Sequence, residues 1–251
     1  MNEAAVVDIE RIERASLWAW PPRELLYVSG WLLRASGTTS RRLNSAQTLR
    51  FEKGADVEKA IRRTEAWYLE RDLPPCFQLT DRAEPAGLAE LLEARGYRRV
   101  APSSVMWRRL ENLPPADPLI DVETRVRQAV ANALFDPQTS EEERVARTEV
   151  YDRIKRPVGF AVRYFGDEPV AAGCCVIDGE IAVLHSMHTH YPFRRMGHGR
   201  AVLHRLLEWA RAMDARIAVL KVQDDNLPAR SLYVQTGFAR IYGYVYYEKL
   251  G

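Results

Sequence analysis

The chain has 251 residues, with 36 Lys and Arg against 34 Asp and Glu, a formal net charge of +2. Hydrophobic residues at 47% and charged residues at 28% fit one large or two small globular domains, too apolar for disorder and too neutral to coat nucleic acid or an anionic membrane. No apolar run approaches the ~20 residues of a membrane span, and Cys76, Cys174 and Cys175 form neither a disulfide framework nor a CxxC ligand pair.

The opening MNEAAVVDIERIERAS carries acids early and lacks the charged-then-apolar pattern of a leader, so a soluble cytoplasmic protein is expected. Val57 to Leu69 reads as a helix, capped by Asp56. Prolines and polar residues gather at ENLPPADP, residues 111 to 118, where neither a helix nor a central strand can continue. A linker there divides the chain into residues 1–112 and 113–251. Ser140 to Arg156 reads as a helix, with Ser140 as cap, acids in the first turn and Pro157 as the stop. GFAVRYF, PVAAGCCVI and EIAVLHSMHT follow, separated by Gly166-Asp167 and Asp178-Gly179, as an antiparallel meander of three strands. From Gly199 the apolar residues Val202, Leu203, Leu206, Leu207, Ala210 and Met213 recur at helical spacing. Arg216 to Val222 reads as a strand, Ala229 to Gln235 as a short helix stopped by Gly237, and GYVYYEKL as a closing strand.

The two halves align without gaps at an offset of 141 residues. LAELLEARGYRRV falls on ARSLYVQTGFARI, Phe77-Gln78-Leu79 on Ala218-Val219-Leu220, Val57–Leu69 on His198–Ala210, and Asn44-Ser45 on His185-Ser186. A period this long indicates a duplicated domain rather than a solenoid.

Between a strand and a helix start lies Arg194-Arg195-Met196-Gly197-His198-Gly199-Arg200. Two glycines at i and i+2 permit unusual torsions and a close approach to a ligand, and the helix start offers unpaired N–H groups at the positive end of its dipole. No acid occurs from Ile181 to Leu207, while Arg194, Arg195, Arg200, Arg205 and all five histidines do. There is no GK[ST] of a P-loop and no third glycine of a dinucleotide fingerprint. The motif alone reads equally as a phosphate cradle or as a plain strand-to-helix turn on a basic surface.

RRMGHG fits the R/Q-x-x-G-x-G/A pyrophosphate motif of the GNAT superfamily of acetyl-CoA-dependent N-acetyltransferases, and residues 226 to 238 fit its N-x-x-A-x-x-L-Y-x-x-x-G-F pattern. Over roughly residues 140 to 250 the chain resembles that superfamily. The first half resembles it weakly, through the repeat and GWLLRASG…RRLNS. The resemblance implies an α/β (α+β) fold of two GNAT-like domains, each a mixed, mostly antiparallel sheet flanked by helices. Residues 1–112 would be a degenerate copy and 113–251 the catalytic domain. It further implies that Met187, His188 and Thr189 offer main-chain groups to the pantetheine arm and the thioester oxygen. Arg195, Met196, Gly197, His198, Gly199 and Arg200 would wrap the pyrophosphate with Arg194 beside it. Asn226 would bond to the cofactor arm, and Tyr233 would protonate the leaving thiolate.

Each of these residues also has a plainer reading. Tyr233 fits a core aromatic. His185 fits a general base or a packed histidine. His188 and His190 share a strand face opposite His185, and no acid or cysteine joins them, so no metal is expected. Lys221 stands where some peptide-acetylating relatives carry a glutamate base, which argues against that acceptor. Cys174-Cys175 fit strand core, and Tyr242, Tyr244 and Tyr246 fit sheet packing or an acceptor wall. In the first half the offset puts Asp56 under Gly197, Glu58 under Gly199, Lys53 under Arg194, Pro85 under Asn226 and Leu92 under Tyr233. That copy should bind no cofactor and act as a wall, lid or dimer support, its core filled by Trp18, Trp20, Trp31 and Trp67. The expected activity is acetyl transfer from acetyl-CoA to the primary amine of a small molecule, such as an amino acid. The alternative is a non-catalytic acyl-CoA-binding regulatory module. The partners expected are the amine and a second copy in a homodimer, with no nucleic acid and no membrane.

Overall fold

The computed structural model of the chain describes residues 8–36, 40–126, 128–135 and 138–249. Residues 1–7, Gly37 and Leu250, parts of segments quoted above, lie outside them. In chain order the elements are α1 (Ile9–Ala19), β1 (Glu24–Val28), β2 (Trp31–Ala35), β3 (Ala46–Gln47), α2 (Val57–Leu69), β4 (Cys76–Thr80), α3 (Leu88–Ala94) and β5 (Arg98–Arg109). They continue as β6 (Val122–Glu123), α4 (Gln128–Leu134), α5 (Glu141–Asp152), β7 (Val158–Phe165), β8 (Glu168–Asp178), β9 (Ile181–Thr189), α6 (His198–Ala212), β10 (Ile217–Gln223), α7 (Leu227–Gln235) and β11 (Ala239–Glu248).

Local chemistry explains most boundaries. Ser140 caps α5 by accepting from the Glu143 N–H at 3.3 Å. Gly166 and Gly179, at the two meander turns, have φ of 60°. Val202, Leu203, Leu206, Leu207 and Ala210 form the buried stripe of α6. The short β6 and α4 have no counterpart in the sequence reading. Two and seven residues are too few to carry a periodic signal, and α4 is held by packing on β8 and β9.

The repeat reappears in the elements. Val57 and His198 open α2 and α6, Cys76 and Ile217 open β4 and β10, and Arg98 and Ala239 open β5 and β11, each pair 141 residues apart.

The chain forms two compact units that interleave along the sequence. The C-terminal unit comprises the described residues up to Pro21, Met106–Lys221 and Pro228–Ala239. The N-terminal unit comprises Pro22–Val105, Val222–Leu227 and the described residues from Arg240. A single cut between 112 and 113 therefore does not reproduce them. Residues 113–117 have no regular structure, as the prolines require, but this segment lies inside one unit. Trp18 and Trp20 likewise belong to the C-terminal unit, because α1 packs on β8 and β9; they are not core of the first half.

Within the C-terminal unit the strands run in the order β10-β9-β8-β7-β6, antiparallel except for the parallel pair β9–β10. Helix α6 presses directly on two strand glycines: a Cβ at Gly159 would come within 3.0 Å of Trp209, and one at Gly173 within 3.0 Å of Leu206. Within the N-terminal unit the order is β1-β2-β3-β4-β11-β5, with β3–β4 parallel. Trp31, Trp67, Tyr68, Phe77, Leu92 and Tyr247 lie in its core. The final strand β11 pairs with β4, Tyr244 opposite Thr80 and Tyr246 opposite Gln78, and the three tyrosines Tyr242, Tyr244 and Tyr246 are buried there. No helix among the described residues is long and apolar enough to cross a membrane.

Candidate active site

Two features of β9 shape the site. Its parallel ladder with β10 runs only from Ile181↔Ile217 to Leu184↔Leu220, yet β9 continues to Thr189 and β10 to Gln223. Beyond that point β9 is paired with β8 on one side only, and the β9–β10 ladder does not extend along residues 185–189. The second feature is a bulge. Cys174 lies opposite His185 and Ala172 opposite His188, so Ser186 and Met187 face the single Gly173. Ser186 takes up the extra residue with φ +54°. The Met187 sulfur lies 2.3 Å from where a Cβ on Gly173 would stand, so only glycine leaves room for it. Met187 therefore turns toward α6. His185 turns to the opposite face, where Trp20 meets it edge-on at 5.0 Å and Tyr151 lies nearly parallel at 6.2 Å. His188 and His190 lie together, ring centroids 5.4 Å apart, consistent with a shared face.

After β9 a short 3-10 turn, Tyr191–Phe193, leads into the basic segment. Arg195 has φ +63° and Gly197 has φ +86°. Gly197 is the N-cap of α6, no side chain caps the helix, and its first turn contains no acid. The N–H groups of that turn have no intrahelical acceptor and carry the positive end of the dipole. A Cβ on Gly197 would meet nothing within 4 Å, so the space before the helix is open and glycine is needed there for its torsion. Gly199 is needed for closeness: a Cβ there would stand 3.0 Å from the Thr189 hydroxyl and 3.9 Å from Leu232. The end of β9, the start of α6 and the middle of α7 thus converge.

Arg194 folds back, its Nε donating to the Thr189 carbonyl at 3.0 Å, so that carbonyl is already engaged. Arg200 donates to Gln235 and ties α6 to α7. Met196 is 57% exposed, and His198 lies edge-on to Phe165 and Phe193. Burial and the nearby Arg200 and Arg108 hold the His204 imidazole below its ordinary range, a sign of the local positive field. Tyr233 is the buried residue of α7 and meets Phe238 at 5.9 Å. Asn226 is exposed and immediately precedes α7, its N–H donating to Gln223 at 3.1 Å. Asp224 accepts from the Ser104 hydroxyl at 2.6 Å. Cys174 and Cys175 are buried strand core.

The sequence reading missed the surroundings of Lys221. It is the first residue of β10 past the parallel ladder, as His185 is on β9. Its ammonium donates to both carboxylate oxygens of Glu13 at 2.7 Å, with the side chains 6% and 1% exposed. The carboxylate absent from this strand position is brought in by α1. One of the two glutamates of an amphipathic helix gave no local signal of this.

The corresponding place in the N-terminal unit is built to a different end. Asp56 caps α2 by accepting from the Lys59 N–H at 3.1 Å, and Glu58 binds Arg95 at 2.8 Å. The Thr48 carbonyl, counterpart of Thr189, accepts from Glu84 N–H at 2.7 Å, and the Glu84 carboxylate accepts from Phe51 N–H at 2.8 Å. Leu92, counterpart of Tyr233, is fully buried core. The donors that one unit leaves open are used internally in the other.

The family described as "Probable histone acetyltransferase Rv0428c C-terminal" matches residues 6–247. A Bacillus subtilis (strain 168) protein described as "Uncharacterized N-acetyltransferase YobR" is 28% identical over 253 residues, covering 93% of this chain and 96% of that one. Among solved structures, a GCN5-related N-acetyltransferase from Kribbella flavida aligns with TM-score 0.71 at 19% identity, over 96% of this chain and 95% of that one. A tandem GNAT protein from the clavulanic acid biosynthesis pathway aligns with TM-score 0.66 at 14% identity, over 96% and 88%. The structural likenesses show the fold and the family match spans nearly the whole chain, so the chain belongs to this acetyltransferase family and is an N-acetyltransferase of GNAT type.

Proposed function

We propose that the chain transfers an acetyl group from acetyl-CoA to the primary amine of a small molecule, with amino acids as the first candidates. The observation that carries this is the uncapped, acid-free start of α6 beside the unladdered edge of β9. Such a helix start suits the pyrophosphate of a CoA, and main-chain N–H groups along a strand edge suit the arm and the thioester oxygen. In this reading Arg195 to Arg200 hold the phosphates through the main chain, Met187 and His188 line the thioester, and Asn226 steadies the arm. Amine attack builds an oxyanion and expels a thiolate. A fixed N–H aimed at the oxyanion is typically worth ~10²–10³ in rate. Tyr233 supplies a proton to the sulfur, since a phenol of pKa ~10 is protonated at neutral pH. His185 accepts the proton of the incoming ammonium. The reading places the reaction in the cytoplasm and needs no metal.

A lysine ε-amine is also a primary amine, so a test panel should hold lysine peptides besides amino acids and polyamines. Mixing the full chain with acetyl-CoA and each amine should release free CoA with at least one small amine. Release with peptides alone would change the acceptor class. Tight acetyl-CoA binding with no release on any amine would instead mark an acyl-CoA-binding regulator.

A further inference from the structure

One face of the sheet in the N-terminal unit holds a buried cation whose hydrogen-bond partners are all neutral. Leu32 lies opposite Gln47, Gln47 opposite Gln78, and Gln78 opposite Tyr246. Arg34, two residues on from Leu32, therefore shares their face. The apolar cluster, with residues of both α2 and α3, includes Leu33, Ala46 and Phe77 and so lies on the other face. Arg34, Gln78 and Tyr246 are buried, at 4%, 1% and 5% exposure. The Arg34 main chain is fixed by Tyr68, whose phenol donates to its carbonyl at 3.2 Å. Arg34 Nε donates to the Ser45 carbonyl at 3.1 Å. Its Nη2 donates to the Ser45 hydroxyl at 2.7 Å and to Gln78 Oε1 at 2.6 Å.

A charge taken out of water normally has a counter-charge, because an unpaired buried ion is strongly disfavoured. Among the described residues no carboxylate pairs with Arg34. Glu248, two residues beyond Tyr246 on the same face, is taken by Arg41, whose Nε and Nη2 reach its Oε2 at 3.0 and 2.7 Å. The connection from Ser36 to Asn44 contains Arg41 and Arg42 but no acid. Arg34 and Arg42 both lie within electrostatic reach of the Tyr246 phenol.

The same face has donors left over. Gln78 turns its Oε1 to Arg34, so its Nε2 is the end left to donate. Burial pushes the Tyr246 phenol well up, so it keeps its proton. Arg34 Nη1, Gln78 Nε2 and the Tyr246 hydroxyl make no hydrogen bond among the described residues, and none of the three atoms is fully enclosed. We propose that these three donors form a binding site for a small carboxylate. One oxygen meets Arg34 Nη1, the other meets the Tyr246 hydroxyl and Gln78 Nε2, and the ligand supplies the charge that the buried guanidinium lacks. The donors are side chains on a strand face, with no run of main-chain N–H groups among them, which favours a planar two-oxygen anion over a phosphate. The site belongs to the N-terminal unit, needs no acetyl-CoA and does not rest on the acetyl-transfer reading.

Scanning calorimetry of the full chain tests this, at constant ionic strength, with acetate, L-alanine or L-glutamate replacing chloride. A ligand held only by the folded state raises Tm. At least one of the three carboxylates should raise it saturably above the chloride value. Arg34→Met should abolish that response. Tyr246→Phe keeps the ring and its packing, and should weaken the apparent affinity by about 10- to 100-fold. Should Arg34→Met fail to fold, Tyr246→Phe decides alone. No saturable rise over chloride with any of the three would overturn the site. A rise that persists unchanged in Arg34→Met or Tyr246→Phe would place the carboxylate elsewhere and overturn it equally.

Discussion

Gly197 and Gly199 do different jobs although two residues apart. One supplies a left-handed torsion at the N-cap of α6, the other lets the helix sit against Thr189. Gly199→Glu would add both bulk and negative charge at the proposed phosphate turn. Calorimetry should show most acetyl-CoA affinity lost in a protein that still melts cooperatively; native affinity would remove the assignment. Tyr233 is buried against Phe238, so Tyr233→Phe keeps the packing and loses only the proton donor. Turnover should fall by ~10²–10⁴ with cofactor affinity little changed. Full turnover with chemistry limiting would rule out the acid role. His204 offers a test of the local field. Its folded pKa is depressed by burial, then by Arg200 and Arg108, and returns to about 6.5 in the unfolded chain. The unfolded state then binds more protons, so stability is complete above about pH 6.5 and is lost as pH falls below it. His204→Gln should melt with a weaker acid dependence between about pH 7 and pH 5. An identical pH dependence would count against the depressed value.

Helix α1 and strand β10 are joined by the buried Glu13–Lys221 pair, whose members are 208 residues apart in the chain. Removing one partner strands a buried charge, which typically costs about 3–5 kcal/mol, whereas replacing both by apolar residues of similar volume is often neutral. Denaturant melts should therefore show Glu13→Met and Lys221→Met each strongly destabilised and the double variant close to the native value. Additive losses in the double variant would show that the two are not coupled. The sequence analysis assigned no element to α1, which Asp8 caps and whose buried face includes Ile9, Ile12, Ala15 and Ala19. Which unit it serves could not be read there, because an amphipathic stripe shows that a helix packs and not what it packs on.

Each unit has a parallel strand pair beside a helix start, yet only one presents a CoA site in the proposed reading. In the N-terminal unit Asp56 occupies the helix start, and Glu84 takes both the Thr48 carbonyl and the Phe51 N–H. Arg34, 4% exposed, fills the corner equivalent to the bulge by donating to Ser45 and to Gln78. Titration with acetyl-CoA should saturate at one equivalent per chain; two equivalents, or CoA phosphates lodged at Val57 and Glu58, would overturn this. The 141-residue recurrence of elements, the glycine turn before α6 and the Asn226–Tyr233 spacing were legible in the sequence. Each is a local demand, a torsion only glycine meets or a fixed interval along one strand or helix, and such demands are written within a dozen residues. Three arrangements were not legible: the last strand β11 completing the sheet of the first half, Trp20 and Glu13 reaching His185 and Lys221, and Tyr151 closing on Ser186. They depend on where distant segments meet once apolar faces are buried together, and spacing along a chain records near neighbours but not the path that brings far ones into contact.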